Sequence, residues 1–228
     1  MGTDPGAPSL HAIVEPSEIQ SKTGLAFPHT IHCLASGELM VSCMGDKEGN
    51  ADGSGYLLLN DDFTIKGRWE AVDKGDGEVG EKAAFGYDFW YQPRHNTMIS
   101  SSWGAPKIFS AGFNPAHVAE GHYGRALYVW DWEKRRVKQT LDLGLNGWLP
   151  LEVRFLHNPD RAEGFVGAAL SSTLIRFFKK EDGEWATQVR NVIPKLSALK
   201  LFARPMWRFC RHPRFRSFKA IPTSTPFI

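Results

Sequence analysis

His29 and His32, in the run His29-Thr30-Ile31-His32, are the residues of this chain whose type and spacing best suit a metal ion. Imidazole nitrogens take copper, zinc or iron. On a regular strand an i, i+3 pair sends its two rings to opposite faces, so both reach one ion only if the strand bends. Pro28, directly before the pair, makes such a bend plausible. The competing reading is that both rings are structural. His95 and His157 sit at equivalent places, each followed by Asn, and are read as turn-shaping residues. Other chemistries find no support. There is no Ser/His/Asp grammar and no Cys-x-x-Cys, and the glycine-rich 45–55 segment lies between two strands, which makes it a hairpin loop and not a phosphate cradle.

The elements that must position these residues follow a repeat. Four β-runs at 29–35, 39–44, 55–60 and 64–69 are followed by 86–92, 97–103, 126–132 and 136–143, then by 150–156, 164–171, 173–178 and 184–192. Met40-Val41-Ser42 echoes Met98-Ile99-Ser100, and His95-Asn96 echoes His157-Asn158. Four strands per unit at this period mark the blades of a β-propeller. The expected fold is all-β: a partial propeller of about three four-stranded blades from a larger ring. Aligning the three first strands puts Asp88 and Glu152 level with Thr30, so both become candidates to stand behind a metal ligand or to line the central channel. Tyr128-Val129-Trp130-Asp131-Trp132 reads as an aromatic strand packed between blades. Pro16 or Ser17 should open a short helix, and Asn114 with Pro115 should cap a helical turn inside the 104–124 insertion. Leu57, Leu59, Phe165 and Phe177 are expected on the two open outer faces.

Composition divides the chain. Of its 27 Lys and Arg, eight fall in residues 195–228, which hold no Asp or Glu. The rest carries 19 basic against 25 acidic residues, which argues against a nucleic-acid surface there. The expected organisation is an extension at 1–28, blades at 29–69, 86–143 and 150–192 within 29–194, and a basic, disordered tail at 195–228. Residues 73–81 read as an acidic, flexible loop. No apolar run is long enough for an integral membrane segment, and the start lacks the pattern of a signal peptide. Three cysteines, Cys33, Cys43 and Cys210, fit a reducing compartment, with Cys33 and Cys43 read as buried free thiols. The cytoplasm (cytosol or nucleus) is the expected location.

Several runs resemble the selenium-binding protein family, whose animal members are also called methanethiol oxidase. They are the segment from His29 to Gly37, Gly86-Tyr87-Asp88-Phe89-Trp90-Tyr91-Gln92-Pro93-Arg94-His95-Asn96, Leu127-Tyr128-Val129-Trp130-Asp131-Trp132 and Arg154-Phe155-Leu156-His157-Asn158-Pro159. The resemblance implies a cytosolic propeller enzyme that converts the small thiol methanethiol, with oxygen and water, to formaldehyde, hydrogen sulfide and hydrogen peroxide. It implies a copper cofactor held by histidines, of which His29 and His32 can be carried over here. It also implies covalent selenium binding, at a cysteine with no counterpart in this chain, and a part in intra-Golgi protein transport with peripheral membrane contact. The family's remaining ligands have no counterpart either, and residues 195–228 match nothing in it. The expectation is therefore a truncated, inactive product, with a selenium-binding or scaffold protein as the rival reading.

Overall fold

Turn chemistry and alternating apolar residues build three antiparallel meanders. The computed structural model describes residues 6–7, 9–71 and 82–194. The first sheet takes β1 (Ala26–Cys33), β2 (Leu39–Gly45), β3 (Gly55–Leu59) and β4 (Ile65–Arg68) in chain order. The second takes β5 (Gly86–Gln92), β6 (Thr97–Ser102), β7 (Ala126–Asp131) and β8 (Arg136–Asp142). The third takes β9 (Pro150–Phe155), β10 (Glu163–Ala168), β11 (Thr173–Lys179) and β12 (Trp185–Val192). All three sheets belong to one unit, Met1–Ile193. The expected blade-like, all-β fold is what the chain adopts. Its turns use left-handed residues: Gly37 and Asn96 close the first hairpins of blades one and two, and Gly183 closes the last hairpin of blade three. The tail at 195–228 and the loop at 73–81 lie outside the described residues.

Two apolar layers join the blades, and a third covers the outer flank of blade one. Helix α1 (Pro16–Thr23) opens on the expected proline and lays Ile19 beside Leu25, Val41, Leu57 and Leu59 on the outer flank of blade one. Met40, Tyr56, Leu58 and Trp69 of blade one meet Phe89, Met98, Tyr128 and Trp130 of blade two. Ile99, Leu127, Val129 and Leu141 of blade two meet Val153, Val166, Ile175 and Phe177 of blade three. Trp130 therefore packs between blades, edge-on to Tyr56 and Trp69, with its indole N–H donated to Ser100.

Two expectations about burial are corrected. Leu57, Leu59 and Phe177 are not on open faces but buried, the leucines by α1 and the phenylalanine by blade two. On the outer flank of blade three lie Leu174, which is exposed, and Phe165, which is half-buried and shares that face through its pair Arg176. Period-2 alternation separates the two faces of a strand but does not say which one meets a neighbour. Cys43 is buried as expected, whereas Cys33 is exposed at the end of β1. The 104–124 insertion holds the expected turn, α3 (Ala116–Ala119) capped by the Asn114 side chain, and a second short helix, α2 (Pro106–Phe109), that was not anticipated.

The innermost strands are irregular in the same way three times. Phe85 and Leu149 directly precede one, Phe27 is the second residue of β1, and all three have a positive φ, near 61°, 55° and 56°. That conformation is strained for a bulky residue. The main chain holds it: the Phe85 N–H donates to the Ala51 carbonyl of blade one, and the Leu149 N–H to the Gly124 carbonyl of blade two. Just beyond, pairing shifts register between Pro28 and Ile31, between Gly86 and Phe89, and opposite the Val166–Ala168 stretch. Such bulges re-aim side chains.

Candidate functional site

The bulges bring the candidate residues into columns that run from blade to blade. In β1 the bulge falls on His29 and Thr30, and in β5 on Tyr87 and Asp88. His29 lies over the Tyr87 ring, with centroids 4.0 Å apart. His32 stands edge-on to Phe89 and Trp90, at 4.8 and 4.7 Å. Both imidazoles thus lean on the same neighbouring strand, β5, which a regular strand would not allow them to do.

The buried polar atom of the group is Asp88, 1% exposed. Its Oδ1 accepts the Thr30 hydroxyl at 2.8 Å, and its Oδ2 accepts the Val153 N–H at 2.7 Å and Arg154 Nη1 at 2.8 Å. Arg154 also reaches Glu152, at 2.7 Å, and covers the Trp90 ring at 4.9 Å. Glu152 is exposed. One carboxylate therefore ties the innermost strands of all three blades.

Two serines stitch the bulges. Ser42 accepts the Thr30 N–H at 3.0 Å and donates to the Tyr87 carbonyl at 2.6 Å. Ser101 accepts the Asp88 N–H at 3.2 Å and donates to the Leu151 carbonyl at 2.6 Å. Each serine fills the gap left in its own blade's pairing and grips the next blade.

Each histidine has one ring nitrogen engaged. His32 Nε2 lies 3.1 Å from the Phe89 carbonyl, which only accepts, so this nitrogen donates and Nδ1 keeps its lone pair. His29 Nδ1 lies 3.0 Å from the Thr30 hydroxyl. Burial holds the His32 pKa below the ordinary histidine value; Asp88 and the Phe89 carbonyl oppose this, and Arg154 adds to it. Burial, then Glu152 and Asp88, push the Tyr87 phenol up, which keeps it protonated near neutral pH. Among the described residues no three His, Cys, Asp or Glu side chains converge on one ion position.

The structure thus connects His29, Asp88 and Glu152 through Thr30 and Arg154, and sets His32 against the same strand. Thr30 and Arg154 were missed as participants. A signal for both was present in the alignment of first strands. Thr30 shares a column with Asp88 and Glu152, and His32 shares one with Trp90 and Arg154. Columns that lie level in the repeat turn out to touch. His95 and His157 differ from the turn-shaping reading. The turn after β5 is held by Asn96, which bonds Asp131 and the Glu133 N–H. His95 instead bonds the Pro159 carbonyl in the corresponding turn of blade three, at 3.0 Å, and His157 is exposed.

Residues 1–205 match the 56 kDa selenium-binding protein family. The chain belongs to this family. It is 59% identical over 187 residues to selenium-binding protein 2 of Arabidopsis thaliana, a match spanning 82% of this chain and 37% of that protein. It is 56% identical over 188 residues to the methanethiol oxidase of Danio rerio, covering 82% of this chain and 40% of that one. The human methanethiol oxidase matches at 54% over 196 residues, 86% of this chain and 40% of its own length. Among solved structures, a hypothetical selenium-binding protein from Sulfolobus tokodaii superposes with a TM-score of 0.68 at 28% identity, over 81% of this chain and 39% of that one. The chain therefore spans about two-fifths of the length of the relatives it matches. No helix among the described residues is long and apolar enough to cross a membrane.

Proposed function

We propose that this chain is part of a copper-dependent methanethiol oxidase of the selenium-binding protein family, and that His29 and His32 supply part of its metal site. The observation that carries the reading is the 56% identity to a methanethiol oxidase across the three blades. The reaction consumes methanethiol, oxygen and water and yields formaldehyde, hydrogen sulfide and hydrogen peroxide, so the carbon loses two electrons and oxygen gains them. Copper, when bound, would lower the thiol pKa and carry those electrons.

The donor set suits copper, because each imidazole keeps one ring nitrogen outside the hydrogen bonds described above. Phe89 and Trp90 shield one side of His32 from water, and its lowered pKa favours the neutral, ligating form. Tyr87 offers the flat face against which His29 rests. Asp88, Arg154 and Glu152 form a charged hydrogen-bonded row behind the pair. Because no three ligand-type side chains converge among the described residues, we expect the 228-residue chain to bind copper weakly and to turn over no methanethiol by itself.

The test is copper titration of the purified chain, together with hydrogen sulfide release from methanethiol. Replacing both His29 and His32 by Ala should abolish copper binding; unchanged binding removes them from the site. Hydrogen sulfide release by the wild-type chain would overturn the expectation of inactivity. The rival reading is a non-enzymatic selenium binder or scaffold of the cytosol, acting in intra-Golgi transport, and the name of the Arabidopsis relatives favours the selenium part of it. Selenium retained by the chain after both histidines are replaced would support that reading.

A further inference from the structure

We infer that Asp88, acting through the Thr30 hydroxyl, sets the tautomer of His29 and so decides which nitrogen faces outward as a lone pair. The role of that lone pair as a metal ligand rests on the copper reading above, but the tautomer does not. The argument is one of hydrogen-bond direction. Three donors face the Asp88 carboxyl: the Thr30 hydroxyl on Oδ1, and the Val153 N–H and Arg154 Nη1 on Oδ2. A hydroxyl has one proton, and Thr30 gives its proton to Asp88. The bond between His29 Nδ1 and Thr30 Oγ1, at 3.0 Å, must then be donated by the ring. His29 therefore carries its proton on Nδ1 and presents Nε2 as the acceptor. Free histidine in water prefers the opposite tautomer, so the relay works against the intrinsic preference. Orienting carboxylates behind imidazoles fix tautomers in this way at metal sites and in catalytic triads.

Asp88 is a positioning residue in this scheme, and Arg154 of blade three is what aims it. The near-isosteric Asp88→Asn change makes the inference sharp. Two donors, Val153 N–H and Arg154, must keep an oxygen opposite them, which turns the new amide NH2 toward Thr30. Thr30 then accepts from the amide and gives its hydroxyl proton to His29 Nδ1. The ring proton moves to Nε2, and the outward lone pair is lost.

The experiment is nitrogen-15 NMR of the histidine rings in the metal-free full chain at about pH 8, where histidine is neutral. Wild type and Thr30→Ser should show His29 mainly protonated on Nδ1. Asp88→Asn should show it protonated on Nε2, and Thr30→Val should revert toward the Nε2 preference of free histidine. His32 serves as an internal control, with Nε2–H throughout. If Asp88→Asn fails to fold, the Thr30 pair carries the test. A wild-type His29 protonated on Nε2, or an unchanged Nδ1–H in Thr30→Val, overturns the inference. A copper titration of the same samples separates the two readings. Loss of the outward lone pair should weaken binding about 10–100-fold, whereas wild-type protein with the expected tautomer and no copper affinity would sink the copper reading and leave the relay standing.

Discussion

The two outer flanks of the blade stack differ. On blade one, α1 buries Ile19 and Leu25 against Leu57 and Leu59, and Cys43 lies within the same layer. On blade three, Leu174 faces outward and is exposed. The same contrast recurs at one position of the repeat. Ser42 and Ser101 bridge the bulge of their own blade to the next, while blade three has Gly167 there, opposite its own irregular pairing. A Cβ built on Gly167 would meet nothing within 4 Å. The difference is one of residue type: Ser42 and Ser101 each reach an acceptor in the neighbouring blade, whereas Gly167 has no side chain to do so.

The largest effect expected from this contrast is at Leu25, which is 0% exposed. Leu25→Ala should cost about 2–5 kcal/mol. Leu174→Ala on the other flank should stay within about 0.5 kcal/mol, the usual range for surface changes. Urea midpoints at unchanged slope measure both, and similar losses would abolish the distinction between the flanks. Next come the repeat positions. Ser101→Ala leaves the Asp88 N–H and the Leu151 carbonyl without this partner and should cost about 1–3 kcal/mol, with Ser42→Ala of the same sign. Gly167→Ala should instead stabilise by up to about 1 kcal/mol, since glycine is costly within a strand. A penalty there as large as that of Ser101→Ala would mean the position is crowded after all.

A chemical probe sharpens the comparison further. Burial pushes the Cys43 thiol up to about 12, whereas Cys33 is exposed. Alkylation depends on the thiolate and on access. Cys33 should therefore label promptly and Cys43 only when the α1 layer opens, so Leu25→Ala should speed Cys43 labelling specifically, as read by peptide mass spectrometry. The smallest effect concerns pH. The folded pKa of His32 lies below the ordinary histidine value of about 6.5. The unfolded chain therefore binds the proton more readily, so the contribution of neutral His32 to stability is complete above about 6.5 and is lost as pH falls through the folded value. His32→Phe should flatten that part of the stability profile; an unaltered acid slope would assign it to other groups.

Much of this was legible before any coordinates. The strand programme was readable because turn formers and period-2 runs are local signals, and all twelve described strands fall within a few residues of the expected runs. The column of Thr30, Asp88 and Glu152 was visible for the same reason: a repeat aligned in sequence is a repeat aligned in space. What stayed hidden was direction. Whether His29 and His32 lean the same way depends on a bulge whose register no local pattern reveals.

Sequence alone therefore determined the blades, their order, the turn residues and the set of polar groups on the innermost strands. It could do so because backbone propensity and burial pattern act over a few residues. Only the tertiary structure decided that Leu57 and Leu59 lie under α1, that Asp88 is buried, and that Arg154 of one blade aims a carboxylate that reaches a histidine two blades away. Those outcomes depend on contacts between residues more than 30 positions apart. Their geometry is set by how the sheets pack and not by any neighbour along the chain.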